Sequence, residues 1–409
     1  MSQAHWGTPA VAVTAAFVGW SIFLPIGVKY PLLLGATAWG LWQLRRQGGF
    51  SHVKAEPATR LAVLFWAWSA VSALWTAGPW QEAAGQVGLY ALVLCVPVIG
   101  QTLPAGWALR AMQHFCVAAG AVGGLCLLQS WALLPAPNAW VWHSAVTPEG
   151  NQRIVTSLLL ALGCALALRE AIQVRLQGRG GMAAWGWCAV ACAAAAGLAS
   201  QDRRTGMVTL PVLVLILGMG LALAQRAGRR QRVGLALTAL LCCLAVGVGT
   251  PGVRDRFAEG FKELASYSAT GDVANSWGMR LRMVEKSVEM ATERPIAGHG
   301  LGSWATLWTQ RVPAHSLLAD QRTPHNEYLL VLTQTGLVGL VLWLGVLWAH
   351  ATRGLWRSGA RVVPASLLVW GALAWAGFFN VVLRDGKFAV PLLMLAALAW
   401  AGARPRWGR

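Results

Sequence analysis

Acidic side chains are scarce in this chain: 15 Asp and Glu stand against 33 Lys and Arg among 409 residues, and charged residues of both signs make up only 12%. That excludes an ordinary soluble domain, in which about a quarter of residues are charged. Metal-assisted phosphate chemistry leans on clustered carboxylates, and the outward-facing segments contain neither an Asp-x-Asp pattern nor an obvious carboxylate pair. There are eight cysteines, Cys95, Cys116, Cys126, Cys164, Cys188, Cys192, Cys242 and Cys243, none in a Cys-x-x-Cys spacing and all inside apolar runs. They read as small packing residues, which excludes a disulfide framework and a cysteine metal site. The interiors of the apolar runs hold no Asp or Glu, Glu170 and Glu327 lying at run ends. Ion-coupled carriers usually need such residues, so a transporter or lipid flippase is disfavoured.

What the chain has in abundance is apolar surface: 56% hydrophobic residues, including 24 tryptophans. Runs long enough to cross a hydrocarbon core of roughly 30 Å recur from end to end. They predict an all-α polytopic membrane protein with about twelve spans, near 9–26, 30–43, 60–77, 83–100, 106–132, 154–172, 182–200, 206–225, 233–250, 326–350, 363–382 and 387–402. The first run lacks a small-residue cleavage site, so it is expected to be a retained span rather than a signal peptide. The expected organisation is spans one to nine in residues 1–250, a helical extracytoplasmic subdomain over 251–325, and three further spans with a cytoplasmic tail over 326–409.

Orientation follows from the basic residues. Eighteen of the 33 Lys and Arg fall in alternate short loops and the C-terminal tail, which assigns those segments to the cytoplasm. Nine more lie in 251–325, leaving Lys29, Arg153, Arg203, Arg204, Arg384 and Lys387 in short outer segments. The net charge of +18 is then a topology signal beside anionic lipids and calls for no nucleic acid. Arg203 and Arg204, in "SQDRRTGM", are the anomaly, because short outer loops avoid arginine. A bound anion would explain them; snorkelling to lipid phosphates is the simpler alternative.

Within 251–325, "VRDRFAEGFKELASYS" sets Phe257, Phe261 and Leu264 on one face at helical spacing, as in a helix lying at the membrane surface. In "NSWGMRLRMVEKSVEMATERPIAGHGLGSW", Ser276 or Asn275 can cap a helix with Leu281, Val284 and Val288 on its apolar face, ended by Pro295. Arg280 and Arg282 stand in its first turns, where cations oppose the helix dipole unless an anion lies close. The "GHGLGS" that follows, with His299, could form an anion nest of backbone N–H groups or simply a tight turn. In "QRTPHNEYLLVLTQTGLVGLVLW", Thr323 or Asn326 can cap the next span and His325 sits at its mouth. The positive helix end favours a neutral imidazole there, which can accept a proton. Glu327 beside it could take the proton instead or orient the ring.

Three of these stretches together resemble the O-antigen ligase and polymerase family: "DRRTGM", "GMRLRMVEKSVEMATERPIAGHGLGS" and "PHNEYLLVLTQTGLVGL". They cover about 60 residues, and their order, spacing and membrane side extend the likeness over the C-terminal half. The resemblance implies a GT-C-like bacterial inner-membrane glycosyltransferase with its active site on the periplasmic side. Its donor would be an undecaprenyl-pyrophosphate-linked glycan and its acceptor the lipid A-core. It carries the family's arginine before Thr-Gly to Arg204, the helix arginine to Arg280 and the loop-ending histidine to His325. Arg203 and Arg282 are extra basic neighbours, and "EGNQRIVTS" with Arg153 is a looser match. His325 would be the general base and the arginines would clamp the pyrophosphate, with Asn326, Glu327 and His299 in support, without cofactor or metal. Polymerisation of two lipid-linked glycans, or transfer to a protein hydroxyl, would need the same groups.

This topology makes a direct prediction. Asp202→Cys and Arg322→Cys, each in a cysteine-free background, should both react with a membrane-impermeant thiol reagent in intact spheroplasts. Labelling only after lysis would put the two loops on the wrong side.

Overall fold

Proline and glycine punctuate the apolar runs, and the helices start and stop at them. The structure, a computed structural model, describes residues 9–134, 151–178, 181–201, 204–223, 251–271, 273–313, 318–355 and 362–403. In chain order its helices are α1 (Pro9–Ser21), α2 (Ile26–Gln47), α3 (Phe50–Ala55), α4 (Pro57–Ser72), α5 (Trp80–Ala91), α6 (Cys95–Thr102), α7 (Ala105–Ser130) and α8 (Asn151–Leu176). There follow α9 (Gly181–Ser200), α10 (Arg204–Leu223), α11 (Pro251–Thr270), α12 (Ser276–Glu293), α13 (Trp304–Thr309), α14 (Glu327–Ala351), α15 (Ala365–Ala376) and α16 (Gly386–Gly402). Pro25, Pro79, Pro104 and Pro364 each precede a helix, where a missing N–H costs nothing. Among the described residues there is no strand.

The all-helical membrane architecture is therefore present, but among the described residues the expected count of twelve spans is not reached. Among the described residues six helices are long and apolar enough to cross a membrane: Pro57–Trp75, Trp80–Thr102, Ala105–Ser130, Gln152–Leu176, Gly181–Ser200 and Glu327–Ala351. Four more, Pro9–Ser21, Thr205–Leu221, Ala365–Ala376 and Gly386–Gly402, are apolar but shorter. The run expected over 363–382 stops at Ala376 because the chain turns into a loop at Gly377. The span expected over 233–250 lies outside the described residues. Lys29, expected in an outer loop, is instead a buried residue of α2. Glu170, expected at a span end, lies within α8, buried against Arg169 and accepting from Gln113 Nε2 at 3.0 Å.

Small residues let the helices approach closely, as association without a hydrophobic drive requires. A Cβ added to Gly197 of α9 would lie 2.2 Å from Gly123 Cα of α7, and one added to Gly206 of α10 would lie 2.5 Å from Ser157 O of α8. α16 is buried on all sides from Phe388 to Ala401, the pattern of a helix at the centre of a bundle.

The feature that organises one end of the bundle is a break in α14. Gly336 has φ 68° and ψ −169°, a conformation open essentially to glycine alone. An unbroken helix would pair Leu337 N with Thr333 O and Val338 N with Gln334 O. Here all four groups turn to the 295–300 segment. His299 N and Gly300 N donate to Thr333 O and Gln334 O at 3.0 and 2.9 Å, and Leu337 N and Val338 N donate to Pro295 O and Ile296 O at 2.8 and 3.3 Å. Trp68 Nε1 satisfies Thr335 O at 2.9 Å. On its other side the segment meets the turn after α4, where Ala77 N donates to His299 O at 3.0 Å.

Four N–H groups of "GHGLGS" are spent within the protein, those of His299 and Gly300 on α14 and those of Gly298 and Ser303 on Arg294 O and Gly300 O, the pattern of the tight turn. The apolar stripe of α12 is also corrected: Val284 and Val288 are exposed, and the helix buries Met283, Ser287 and Met290 instead. Ser287 is small and its hydroxyl accepts from Trp304 Nε1 at 2.9 Å, which draws that face inward. Met283, Met290, Trp304, Trp308, Leu318, Leu330 and Val381 form a second, small core at this end. In α11, Phe261 and Leu264 are exposed as a surface helix would have them, whereas the Phe257 side chain lies outside the described residues.

Gly336→Ala would place a Cβ 2.1 Å from Ile296 O at a backbone conformation that alanine resists. The left-handed backbone alone costs about 1–3 kcal/mol, so thermal unfolding in detergent should shift down by several degrees or more. Gly124→Ala, which meets nothing within 4 Å, should leave the midpoint unchanged. Equal melting of the two variants would refute the exchange at the break.

Candidate functional site

The site is assembled on the loop between α15 and α16, "GFFNVVLRD", Gly377 to Asp385. Glu327 N donates to Gly377 O at 2.7 Å, and Asn326 Nδ2 donates to Phe378 O at 3.1 Å. Arg280 Nη1 makes a long contact of 3.5 Å to Phe379 O. Asn380 Nδ2 reaches Thr205 Oγ1 at 3.4 Å, and Leu383 N donates to Glu327 Oε2 at 3.1 Å. One loop thus holds α12 at Arg280, α14 at its first residue and α10 one residue after Arg204.

His325 sits immediately before this junction. Asn326 is the N-cap of α14, its Oδ1 accepting from Leu329 N at 2.9 Å, and His325 is turned to φ 50°. A left-handed residue other than glycine costs of the order of 1 kcal/mol or more, although histidine tolerates it better than most. The cap, the buried Pro324 and a 3.3 Å contact between Nε2 and Gln321 Oε1 hold it there. Burial, and secondarily the Arg280 charge, lower its pKa from 6.5 to about 4. The ring is therefore neutral at ordinary pH and able to take a proton.

The other expected site residues divide sharply. Glu327 is buried, with Oε2 bound to the α15–α16 loop and Oε1 lacking a hydrogen-bond partner. It braces the junction rather than facing solvent. His299 is buried one layer away, Nε2 lying 2.8 Å from Met290 O and 3.6 Å from the Glu293 carboxylate, which makes it part of the wall beneath α12. Arg282 points outward and pairs with Glu285 at 3.0 Å. Arg153 stands in the first turn of α8, four residues before Ser157, against which Gly206 packs. Arg204 is the first residue of α10, but its side chain, and Arg203 entirely, lie outside the described residues. Among the described residues no three His, Cys, Asp or Glu side chains are grouped so as to hold a metal ion.

Beside His325 opens a cleft of about 650 Å³, lined by Gln81, Glu82 and Gln86 of α5, by Gln321 and by Asn380 and Arg384 among others. Arg384 crosses it, pairing with Glu82 at 3.1 Å and donating to Arg322 O at 2.9 Å. Sequence reading had not singled out these residues as a site. A signal existed for Arg384, a basic residue in a short outer loop like Arg204. Gln86 gave none, since a lone amide in an apolar run reads as a helix residue.

Comparison with known proteins meets this geometry at the same place. Residues 188–344, from the middle of α9 through most of α14, match the family model described as O-antigen ligase. No curated protein matches the chain. The matched stretch contains Arg204, Arg280, the break at Gly336 and His325 with its cap, and it is over these residues that the chain is similar to the O-antigen ligase family.

Proposed function

We propose that the protein is a glycosyltransferase of the inner membrane that moves a glycan from undecaprenyl pyrophosphate to a hydroxyl of the lipid A-core on the periplasmic side, within a GT-C-type architecture. The observation that carries this reading is the junction at 377–385, which brings a neutral histidine, Arg280 and the start of α10 to one place. In this reading His325 removes the proton of the acceptor hydroxyl, whose oxygen attacks the anomeric carbon of the donor sugar. The bond from that carbon to the phosphate oxygen breaks in the same displacement, which inverts the anomeric centre. The leaving polyprenyl pyrophosphate carries the negative charge that Arg204 and Arg280 stabilise. Arg153 and Arg282 are further basic groups at this end, the latter turned away to Glu285, and Arg203 is the basic neighbour of Arg204 in the sequence. Two guanidinium groups can balance that charge without a divalent ion, so the transfer is taken to be metal-independent. The family description favours ligation over polymerisation of lipid-linked glycans or transfer to protein.

The test is direct: incubate the purified protein with undecaprenyl-pyrophosphate-linked glycan and lipid A-core, with and without EDTA, and follow the coupled product. Transfer should appear and survive the chelator. His325→Ala should slow turnover by roughly 10²- to 10⁴-fold, the usual loss with a general base. Arg280→Lys keeps the charge but loses the planar fork, so it should fail nearly as badly as Arg280→Ala. Full activity of His325→Ala beside a dead Glu327→Ala would make the carboxylate the base.

The pH profile supplies an independent check. The base form of His325 is lost as pH falls through its pKa of about 4, so kcat/KM should be flat near neutrality and drop only below about pH 5. A bound pyrophosphate stabilises imidazolium, so the acid limb of kcat should lie at higher pH than that of kcat/KM. A kcat/KM limb centred near 6.5 would mean a solvent-exposed histidine.

A further inference from the structure

The cleft beside His325 has a chemistry unlike that of the arginines. Three carboxylates, Glu82, Asp320 and Asp385, line it together with the amides of Gln81, Gln86, Gln321 and Asn380. Of its two guanidinium groups, Arg384 is already engaged by Glu82 and Arg322 O. Carboxylates repel a pyrophosphate. Carboxylates and amides are, however, the groups that pair with neutral hydroxyls, accepting and donating in the plane of the side chain.

One of them is incomplete. Gln86 is only 3% exposed, lines the cleft, and its Oε1 has no hydrogen-bond partner. A buried acceptor without a donor is unfavourable, and a ligand hydroxyl would relieve it. The volume of about 650 Å³ is that of a small-ligand site. His325 forms part of the wall, so a hydroxyl held in the cleft lies beside the imidazole, while Arg280 is not among the lining residues.

We propose that this cleft is the saccharide acceptor subsite, and that Gln86 and Glu82 of α5 select the acceptor sugar. The inference rests on the glycosyl-transfer reading above. It assigns acceptor choice to residues outside the 188–344 stretch that carries the family match. The Arg384–Glu82 pair spans the cleft, and an entering sugar hydroxyl would compete with Arg384 for the Glu82 carboxylate.

The experiment uses the full chain in lipid nanodiscs, with steady-state kinetics in which lipid A-core and undecaprenyl-pyrophosphate-linked glycan are varied separately. Gln86→Leu and the isosteric Glu82→Gln should each raise the acceptor KM by about tenfold, the loss of one or two hydrogen bonds, and leave the donor KM within about twofold of the parent. Because Gln86→Leu is a core change, its melting midpoint is measured alongside, and Gln81→Ala on the same wall provides a second variant. Capture of radiolabelled lipid A-core without donor should weaken in parallel. A rise in donor KM, or unchanged acceptor KM and capture in all three variants, would overturn the subsite. Absence of transfer by the parent protein, with lipid A-core still captured and capture still weakened by Gln86→Leu, would overturn the catalytic reading and leave the subsite standing.

Discussion

Four backbone groups freed at Gly336 hold the His325 end of this molecule together. In an apolar surrounding, an unpaired N–H or C=O is expensive enough that a broken helix survives only if other protein groups take up its bonds. The 295–300 segment does so at both sides of the break, two donors facing two acceptors in each direction. The consequence is positional. With Pro295 locked to Leu337, α12 must run beside the first segment of α14 in the same sense, and Thr333 Oγ1 touches Ser287 O at 3.3 Å along the way. That common direction carries the start of α12, with Arg280, to the start of α14, where His325 waits.

The glycines of "GHGLGS" acquire their meaning from the same constraint. Gly298, Gly300 and Gly302 all have positive φ, and a Cβ on any of them would lie 2.3–2.7 Å from the backbone of α14, of the turn after α4, or of α5. They let a loop pass between two helices and touch both. The loop is structural, a packed bridge between α14 and α5.

Much of this was legible in the sequence. Asn275 and Asn326, each one of two candidates, are the caps, and Pro295 does end α12, because these are local signals that tertiary contacts seldom override. The positions of the apolar helices were readable for the same reason. The break in α14 was not. "TQTGLVGLVLW" is continuous in hydropathy, and nothing local distinguishes Gly336, which departs from the helix, from Gly339, which stays in it; only the segment that pairs with the exposed groups decides. The valine stripe of α12 misled for a related reason. Its period is helical, but the choice of buried face was made by Trp304 bonding to Ser287, a contact 17 residues distant in sequence. The α15–α16 loop was hidden inside a run that reads as one span, and with it Asn380 and the anchor for Arg280.

The burial of α16 has a bearing on how the molecule is made. Translation delivers that helix after every other helix described, yet it is the one enclosed on all sides from Phe388 to Ala401, and the loop that gathers the site is tethered to its first turn. Its place in the bundle can therefore be filled only after the helices around it have been made. Enclosure of α16 and anchoring of the loop that gathers Arg280, Asn326 and Glu327 are a single event, so a chain interrupted before Gly386 lacks the support on which these residues meet.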